Sequence, residues 1–264
     1  AVSGADVVVV GVPTHGFREV LTAAAPAIGD GVPVVSLAKG FEQGTRLRMT
    51  QVVAELLPGH PVGVLTGPNL AKEILDGRAA ATVVACSESN LAEALQGLLA
   101  SDRLRVYTND DIVGCEIGGA VKNVIALAAG MAEGLGSGDN ARAALITRGL
   151  AELTRLGEAL GADPRTLAGL AGLGDVLVTC MSAQSRNRWV GEQVGLGRPP
   201  AEVLAGMDQV AEGVRTAGVV CELAAEAGIE VPIAEGVRAV IDGGQPPVEV
   251  WAALMARRAR PEVD

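Results

Sequence analysis

Three segments hold the residue types that proton transfer and anion binding require. The first is the apolar run GCEIGGAVKNVIALAAG, which contains Lys122. On a helix the same-face neighbours of Lys122 at i−4, i−3, i+3 and i+4 are Gly118, Gly119, Ile125 and Ala126. None is a carboxylate, so a surface ion pair does not explain this lysine. The two glycines let another element come close, and Asn123 adds a second polar group. A partly buried lysine with a depressed pKa is a general acid or base near neutrality. The simpler alternative is a lysine that snorkels from the end of an apolar face. The second segment holds Lys39, the one charged residue between positions 32 and 41, followed by Gly40. A lysine at a strand end can project into a ligand crevice; otherwise it is a solvated loop lysine.

The third segment is GLGDVLVTCMSAQSRNRWVG. Ser185 or Ser182 reads as a helix N-cap, which places Arg186 and Arg188 in the first turn, where the helix dipole disfavours cations. A phosphate held between the helix N-terminus and a guanidinium accounts for that placement, and Asn187 adds an amide. Asp175 either caps a helix or enters the site directly. Glu212-Gly213 alone reads as a turn before a helix. The Arg257, Arg258 and Arg260 cluster suits a helix C-terminus.

The elements that position these residues fall into two halves. Apolar, β-branched runs at 6–12, 33–37, 62–66, 82–85 and 104–107 alternate with helical patterns at 16–28, 47–57, 70–75 and 91–99. This alternation predicts a doubly wound parallel sheet covered on both faces. The loops 12–15, 38–40 (with Lys39) and 66–69 then lie just past strand carboxyl ends, where open α/β sheets bind ligands. After residue 109 the pattern is helical at 111–135, 141–160, 164–173, 187–194, 200–204, 216–227 and 248–257. The reading is an α/β domain over 1–109 and an all-helical domain over 110–264.

Composition narrows the function classes. The chain has 264 residues, 49% of them hydrophobic, and a net charge of −10. That is enough apolar material for a core and argues against disorder. The acidic balance opposes duplex nucleic-acid binding, and 2% aromatics oppose base-stacking platforms. Cys86, Cys115, Cys180 and Cys221 are far apart and form no CxxC, as expected for reduced thiols in a cytoplasmic protein. His15 and His60 are the only histidines, and no HExxH is present, so no zinc enzyme is expected. No continuous apolar run reaches the ~18–20 residues of a membrane span, and no secretory signal opens the chain. No membrane insertion is expected.

The runs LAKGFE (37–42), TGPNLAKEI (66–74), EIGGAVKNVIALAAG (116–130), NARAALITRGLAE (140–152), AGLGDVLVTCMSAQSRNR (171–188) and VAEGVRTA (210–217) occur in this order. Together they resemble the bacterial NAD(P)-dependent glycerol-3-phosphate dehydrogenases over nearly the whole chain. The resemblance implies a partial Rossmann-like dinucleotide domain followed by a helical substrate domain. It also implies hydride exchange between NAD or NADP and the pair dihydroxyacetone phosphate and sn-glycerol 3-phosphate, serving phospholipid synthesis in a cytoplasmic homodimer. By analogy Lys122 is the catalytic acid/base and also binds substrate, and Lys39 is catalytic as well and contacts both substrate and cofactor. Gly67, Asn69, Asp175, Ser185, Arg186 and Asn187 hold substrate, with Asp175 also catalytic. Ala71, Arg186, Val210 and Glu212 lie on the cofactor side. The family often carries Ser or Thr where this chain has Asn69.

No G-x-G-x-x-G turn follows a strand in this sequence. By analogy two βα units, on the order of 60 residues at ~30 per unit, precede position 1. A molecule beginning at position 1 is expected to have a broken cofactor site and to leave the strand at 6–12 as a sheet edge. The alternatives are a two-domain dehydrogenase of the ketopantoate or 6-phosphogluconate type, or a non-catalytic fragment or assembly subunit. The Ser185-Arg186-Asn187 block and the GLGD run argue against the first.

Overall fold

Strands form where β-branched residues crowd, and helices where the apolar spacing lengthens. The computed structural model describes residues 2–207, 210–258 and 261–262. Its first half comprises β1 (Val8–Val10), α1 (Thr14–Ala24), β2 (Val34–Ser36), α2 (Met49–Leu56), β3 (Val62–Thr66), α3 (Ala71–Leu75), β4 (Ala80–Cys86), α4 (Ser89–Leu99) and β5 (Leu104–Asn109). The second half is helical: α5 (Ile112–Gly134), α6 (Asp139–Ala159), α7 (Pro164–Ala168), α8 (Asp175–Met181), α9 (Arg186–Gly195), α10 (Pro200–Ala205), α11 (Glu212–Ala227), α12 (Pro232–Ile241) and α13 (Pro247–Met255). Ala259 and Arg260, from the basic cluster noted above, lie outside the described residues.

Several boundaries differ from the sequence expectation for physical reasons. The helix expected at 16–28 stops at Ala24, and a 3-10 turn over Ala25–Ala27 follows, because Pro26 has no N–H to continue the ladder. The helix expected at 164–173 stops at Ala168, Gly169 is extended, and a π-turn over Leu170–Gly174 leads into α8. Helices α8 and α12 were not anticipated. Pro232 in the first turn of α12 is the start signal that betrays it.

The sheet order is β1-β2-β3-β4-β5. Three of its ladders are parallel, as expected. The β3–β4 ladder is antiparallel, with Thr66 opposite Val83. This reversal of direction has a consequence for the site: it returns Thr82, near the start of β4, to the carboxyl end of β3. β1 pairs with β2 alone and forms one edge.

Val8, Val10, Phe17, Leu21, Val34, Met49, Val52 and Val53 form the core beneath α1 and α2, and Val35, Val84, Leu95 and Val106 form the one beneath α4. In the helical half α5 is the central element, with α6, α8, α9, α11 and α12 packed around it. The expectation that no segment is long and apolar enough for a membrane span needs correction. α5 meets that length with a mean hydropathy of 1.5 despite Glu116 and Lys122, because averaging absorbs two charges. Here 89% of that window is buried inside the protein, as the core helix.

Close approach of α5 and α9 depends on glycine. A Cβ at Gly130 would lie 2.0 Å from the Arg188 carbonyl oxygen, and one at Gly191 would lie 2.1 Å from that of Leu127. Both contacts are with backbone, which cannot swing aside. Gly191→Ala is therefore expected to destabilise the fold by about 1–3 kcal/mol or more. Gly218→Ala is the control: its Cβ meets nothing within 4 Å on helix α11, so it should be neutral or stabilising by up to about 1 kcal/mol. Urea unfolding midpoints of the two variants check this contrast.

Candidate active site

One cavity of about 690 Å³ is bounded by the carboxyl edge of the sheet and by side chains of α5, α8 and α9. Lys39, Asn69, Ala71, Lys122, Asp175, Ser185, Arg186, Asn187, Val210 and Glu212 all line it. Of the residues expected at the site, Gly67 alone does not, and it contributes through its backbone instead. A second cavity of about 650 Å³, among α6, α12 and α13, holds none of them.

The cluster at the centre is two lysines on one carboxylate. Lys39 Nζ donates to Asp175 Oδ2 at 2.8 Å, Asn69 Oδ1 at 2.7 Å and the Gly67 carbonyl at 3.0 Å. An ammonium has three N–H groups, so all of those on Lys39 are engaged. Lys122 Nζ donates to Asp175 Oδ1 and to Thr179 Oγ1, the latter at 2.9 Å. One Lys122 N–H is left uncommitted among the described residues. Asp175 and Thr179 stand four residues apart on α8 and so share a face.

The local sequence explains how these groups meet. A Cβ at Gly118 would lie 2.5 Å from the Ala171 carbonyl, and one at Gly119 would lie 2.9 Å from Thr66 Oγ1 and 3.4 Å from Lys39 Cγ. The two glycines beside Lys122 thus admit the π-turn and the stem of Lys39. Gly67 has φ +107, a conformation that favours glycine. Asn69 Nδ2 donates to Thr82 Oγ1 at 3.1 Å, and that hydroxyl donates to the Thr66 carbonyl at 2.6 Å. Asn69 is therefore held between Lys39 and β4.

Burial and charge set the protonation states. Lys122 is 6% exposed, which excludes a snorkelling surface lysine. Burial, and next the Lys39 cation, lower its pKa to about 7 against the pull of Asp175. Burial alone would raise the pKa of Asp175, but the Lys39 and Lys122 cations outweigh it and hold the carboxyl below its ordinary value. Asp175 stays ionised while Lys122 is poised near neutrality.

A second network supports the first. Asn123 Nδ2 donates to the Lys39 carbonyl at 3.0 Å, Asn187 Nδ2 donates to Asn123 Oδ1 at 3.0 Å, and the Gly213 N–H donates to Asn187 Oδ1 at 3.0 Å. Ser185 is the N-cap of α9 and accepts from the Arg188 N–H at 3.2 Å. Arg186 donates to the Val210 carbonyl at 2.8 Å. Both oxygens of Glu212 are engaged by Thr14. The expectation for Arg188 is corrected: its guanidinium turns to Glu133 at 2.5 Å and the Ser182 carbonyl at 3.1 Å, so its charge is satisfied away from the cavity. Sequence reasoning missed Thr179 and Thr82, placed Thr14 only in a loop at the sheet edge, and noted Asn123 without a partner.

The carboxyl edge of a Rossmann-like sheet is where such folds hold nucleotides. A buried ammonium with one spare proton, titrating near neutrality, suits an oxygen that becomes an alkoxide. Fold and cavity together place the chain among the dehydrogenases that join a Rossmann-like sheet to a helical half. Family models agree. The NAD-dependent glycerol-3-phosphate dehydrogenase N-terminus matches residues 1–92, and its C-terminus matches residues 111–252. A glycerol-3-phosphate dehydrogenase [NAD(P)+] of Mycobacterium avium is 55% identical over 97% of this chain and 75% of its own length. One from Thermobifida fusca is 53% identical over 99% of this chain and 79% of its own. The crystal structure of glycerol-3-phosphate dehydrogenase from Coxiella burnetii superposes with a TM-score of 0.92 at 38% identity, covering 96% of this chain and 78% of that one. The chain belongs to the NAD-dependent glycerol-3-phosphate dehydrogenase family.

Proposed function

We propose that this chain interconverts dihydroxyacetone phosphate and sn-glycerol 3-phosphate with NAD(P)(H), and that Lys122 is its proton donor and acceptor. The observation that carries the residue roles is the uncommitted Lys122 N–H beside an otherwise saturated Lys39. The cavity fits a nicotinamide: apolar Leu37, Leu65 and Ile74 line it alongside Lys122 and Asp175. When bound, the cofactor supplies or accepts the hydride. Ala71, Arg186, Val210 and Glu212 stand on its side of the cavity.

In the reducing direction the substrate carbonyl oxygen accepts the free Lys122 N–H, and Lys122 transfers that proton as the oxygen becomes an alkoxide. Lys39 stabilises the ionised Asp175 and adds positive potential next to the oxygen. Asp175 and Thr179 fix the direction of the Lys122 ammonium. Ser185, Arg186 and Asn187, at the N-terminus of α9, hold the substrate phosphate, turning remote binding energy into orientation. Gly67 and Asn69 complete the substrate side through their hold on Lys39.

The nucleotide half ends near residue 109 and the catalytic helical half begins at 110. The four buried free cysteines support a cytoplasmic enzyme, the product suits glycerophospholipid synthesis, and exposed Val248 and Met255 on α13 support a homodimer through the helical half. Phosphate-binding groups beside the lysine cluster favour this substrate over ketopantoate.

Reduction needs protonated Lys122, so its rate should fall as pH rises through about 7. Oxidation of glycerol 3-phosphate needs neutral Lys122, so its rate should rise through the same pH. Initial rates in both directions from pH 5.5 to 9, with NADH and with NADPH, test the reading. In protein that carries the pyrophosphate-binding turn, no dihydroxyacetone-phosphate-dependent oxidation of either cofactor would overturn the substrate assignment. Parallel limbs in both directions would overturn the role of Lys122.

A further inference from the structure

We propose that Thr14 is a positioning residue for this reaction: with Glu212 it forms a clasp against Gly40 that fixes the place of Lys39. The inference rests on the roles of Lys39 and Lys122 given above. Thr14 is the first residue of α1 and is 4% exposed. Its backbone N–H donates to Glu212 Oε1 at 3.1 Å, and its hydroxyl donates to Glu212 Oε2 at 2.6 Å. α1 has Pro13 at its N-cap and no side-chain cap of its own. A carboxylate from 198 residues away takes that place, where the helix dipole favours negative charge.

The acidic side of the clasp is itself held. Glu212 opens α11, its carbonyl accepts from Thr216 Oγ1 at 2.9 Å, and the next N–H, of Gly213, is bound by Asn187. Gly40 rests on this assembly. A Cβ there would lie 3.0 Å from Thr14 Cγ2, 3.3 Å from Glu212 Oε2 and 3.4 Å from Thr216 Oγ1. The residue before it, Lys39, has its carbonyl held by Asn123 from α5. The backbone that carries Lys39 is thus gripped from two sides: at its carbonyl from the central helix, and at the following Cα by the clasp. The clasp also joins the turn after β1 to α11, so both halves of the fold share in placing the lysine that pairs with Asp175.

Thr14→Val keeps the shape and removes the hydroxyl, while Thr14→Ser keeps the hydroxyl and removes Cγ2. Displacing Lys39 by a fraction of an ångström in Thr14→Val should lower kcat for dihydroxyacetone phosphate reduction on the order of 10- to 100-fold, with little change in KM. Thr14→Ser should stay near wild type. Gly40→Ala should also lose kcat, and Thr14→Ser in the same chain should restore part of it by removing the methyl that Gly40→Ala strikes. A second readout needs no turnover. The chain has three lysines, Lys39, Lys72 and Lys122, so the Lys122 titration can be followed by NMR of 13Cε-labelled lysine. In Thr14→Val its midpoint should rise, because the displaced Lys39 cation repels the Lys122 ammonium less. The proposal is overturned if Thr14→Val keeps kcat within about twofold and an unchanged Lys122 midpoint, even with a lowered unfolding midpoint. If the wild-type protein turns over no dihydroxyacetone phosphate, the lysine titration alone decides the clasp; the substrate reading fails only if protein carrying the pyrophosphate-binding turn is inactive as well.

Discussion

Lys122→Met is expected to lower kcat for dihydroxyacetone phosphate reduction by ~10²–10⁴-fold, the usual contribution of a positioned acid. Methionine matches the length and apolar stem of lysine, so the cavity keeps its shape. It brings no proton and no cation. Substrate affinity should change far less, because Ser185, Arg186 and Asn187, proposed above to hold the phosphate, belong to α9 and its N-cap rather than to α5. The pH limb of the reduction should vanish with the lysine, since the group that titrates at about 7 is gone. Steady-state kinetics with KM and kcat separated, over the same pH range, check both statements. A variant retaining wild-type kcat would transfer the proton to some other group.

The second large effect belongs to Asp175. Its carboxylate is 1% exposed and lies between Lys39 and Lys122. Asp175→Asn leaves the buried Lys122 amine and the part-buried Lys39 cation without their shared anion. Removing one partner of a buried pair costs about 3–5 kcal/mol, so the unfolding midpoint should fall substantially at neutral pH. The sign with pH follows from the depressed carboxyl. The wild-type contribution is full above the unfolded carboxylate value of 3.8 and is lost as pH falls through the lower folded value. The difference between wild type and Asp175→Asn should therefore shrink in strong acid. Activity has its own sign. Without Asp175 nothing opposes burial and Lys39, so the Lys122 pKa drops further and reduction at neutral pH loses its protonated donor. Urea titrations at pH 7 and in acid, paired with kcat, test both halves. Wild-type stability in Asp175→Asn would refute the buried charge cluster.

The site residues differ in how visible they are in the sequence. Lys122 stands out because it interrupts an apolar helix and has glycines on its own face. Those glycines are the ones that admit Ala171 and Lys39 in three dimensions. Lys39 is legible as a lone charge at the end of an apolar strand. Thr179 is hidden because DVLVTCM is short and rich in β-branched residues, which suits a strand as well as a helix. Only once it is helical do Asp175 and Thr179 share a face. Thr82 is hidden by the direction of β4, since the connection through α3 is long enough for either a crossover or a reversal. Thr14 is legible only as part of a loop past a strand carboxyl end; its bond to Glu212 is hidden because that partner is 198 residues away. Arg188 shows the converse. Its position in a first helical turn suggests an anion, but Glu133 on α5 answers its charge.

The central claim is that a buried cluster of two lysines on one aspartate makes Lys122 a proton donor at neutral pH. The measurement that tests it most directly is the Lys122 titration itself, read from 13Cε-labelled lysine and assigned by its loss in Lys122→Met. A midpoint of about 7 is expected. A midpoint at the ordinary lysine value of 10.5 would contradict it.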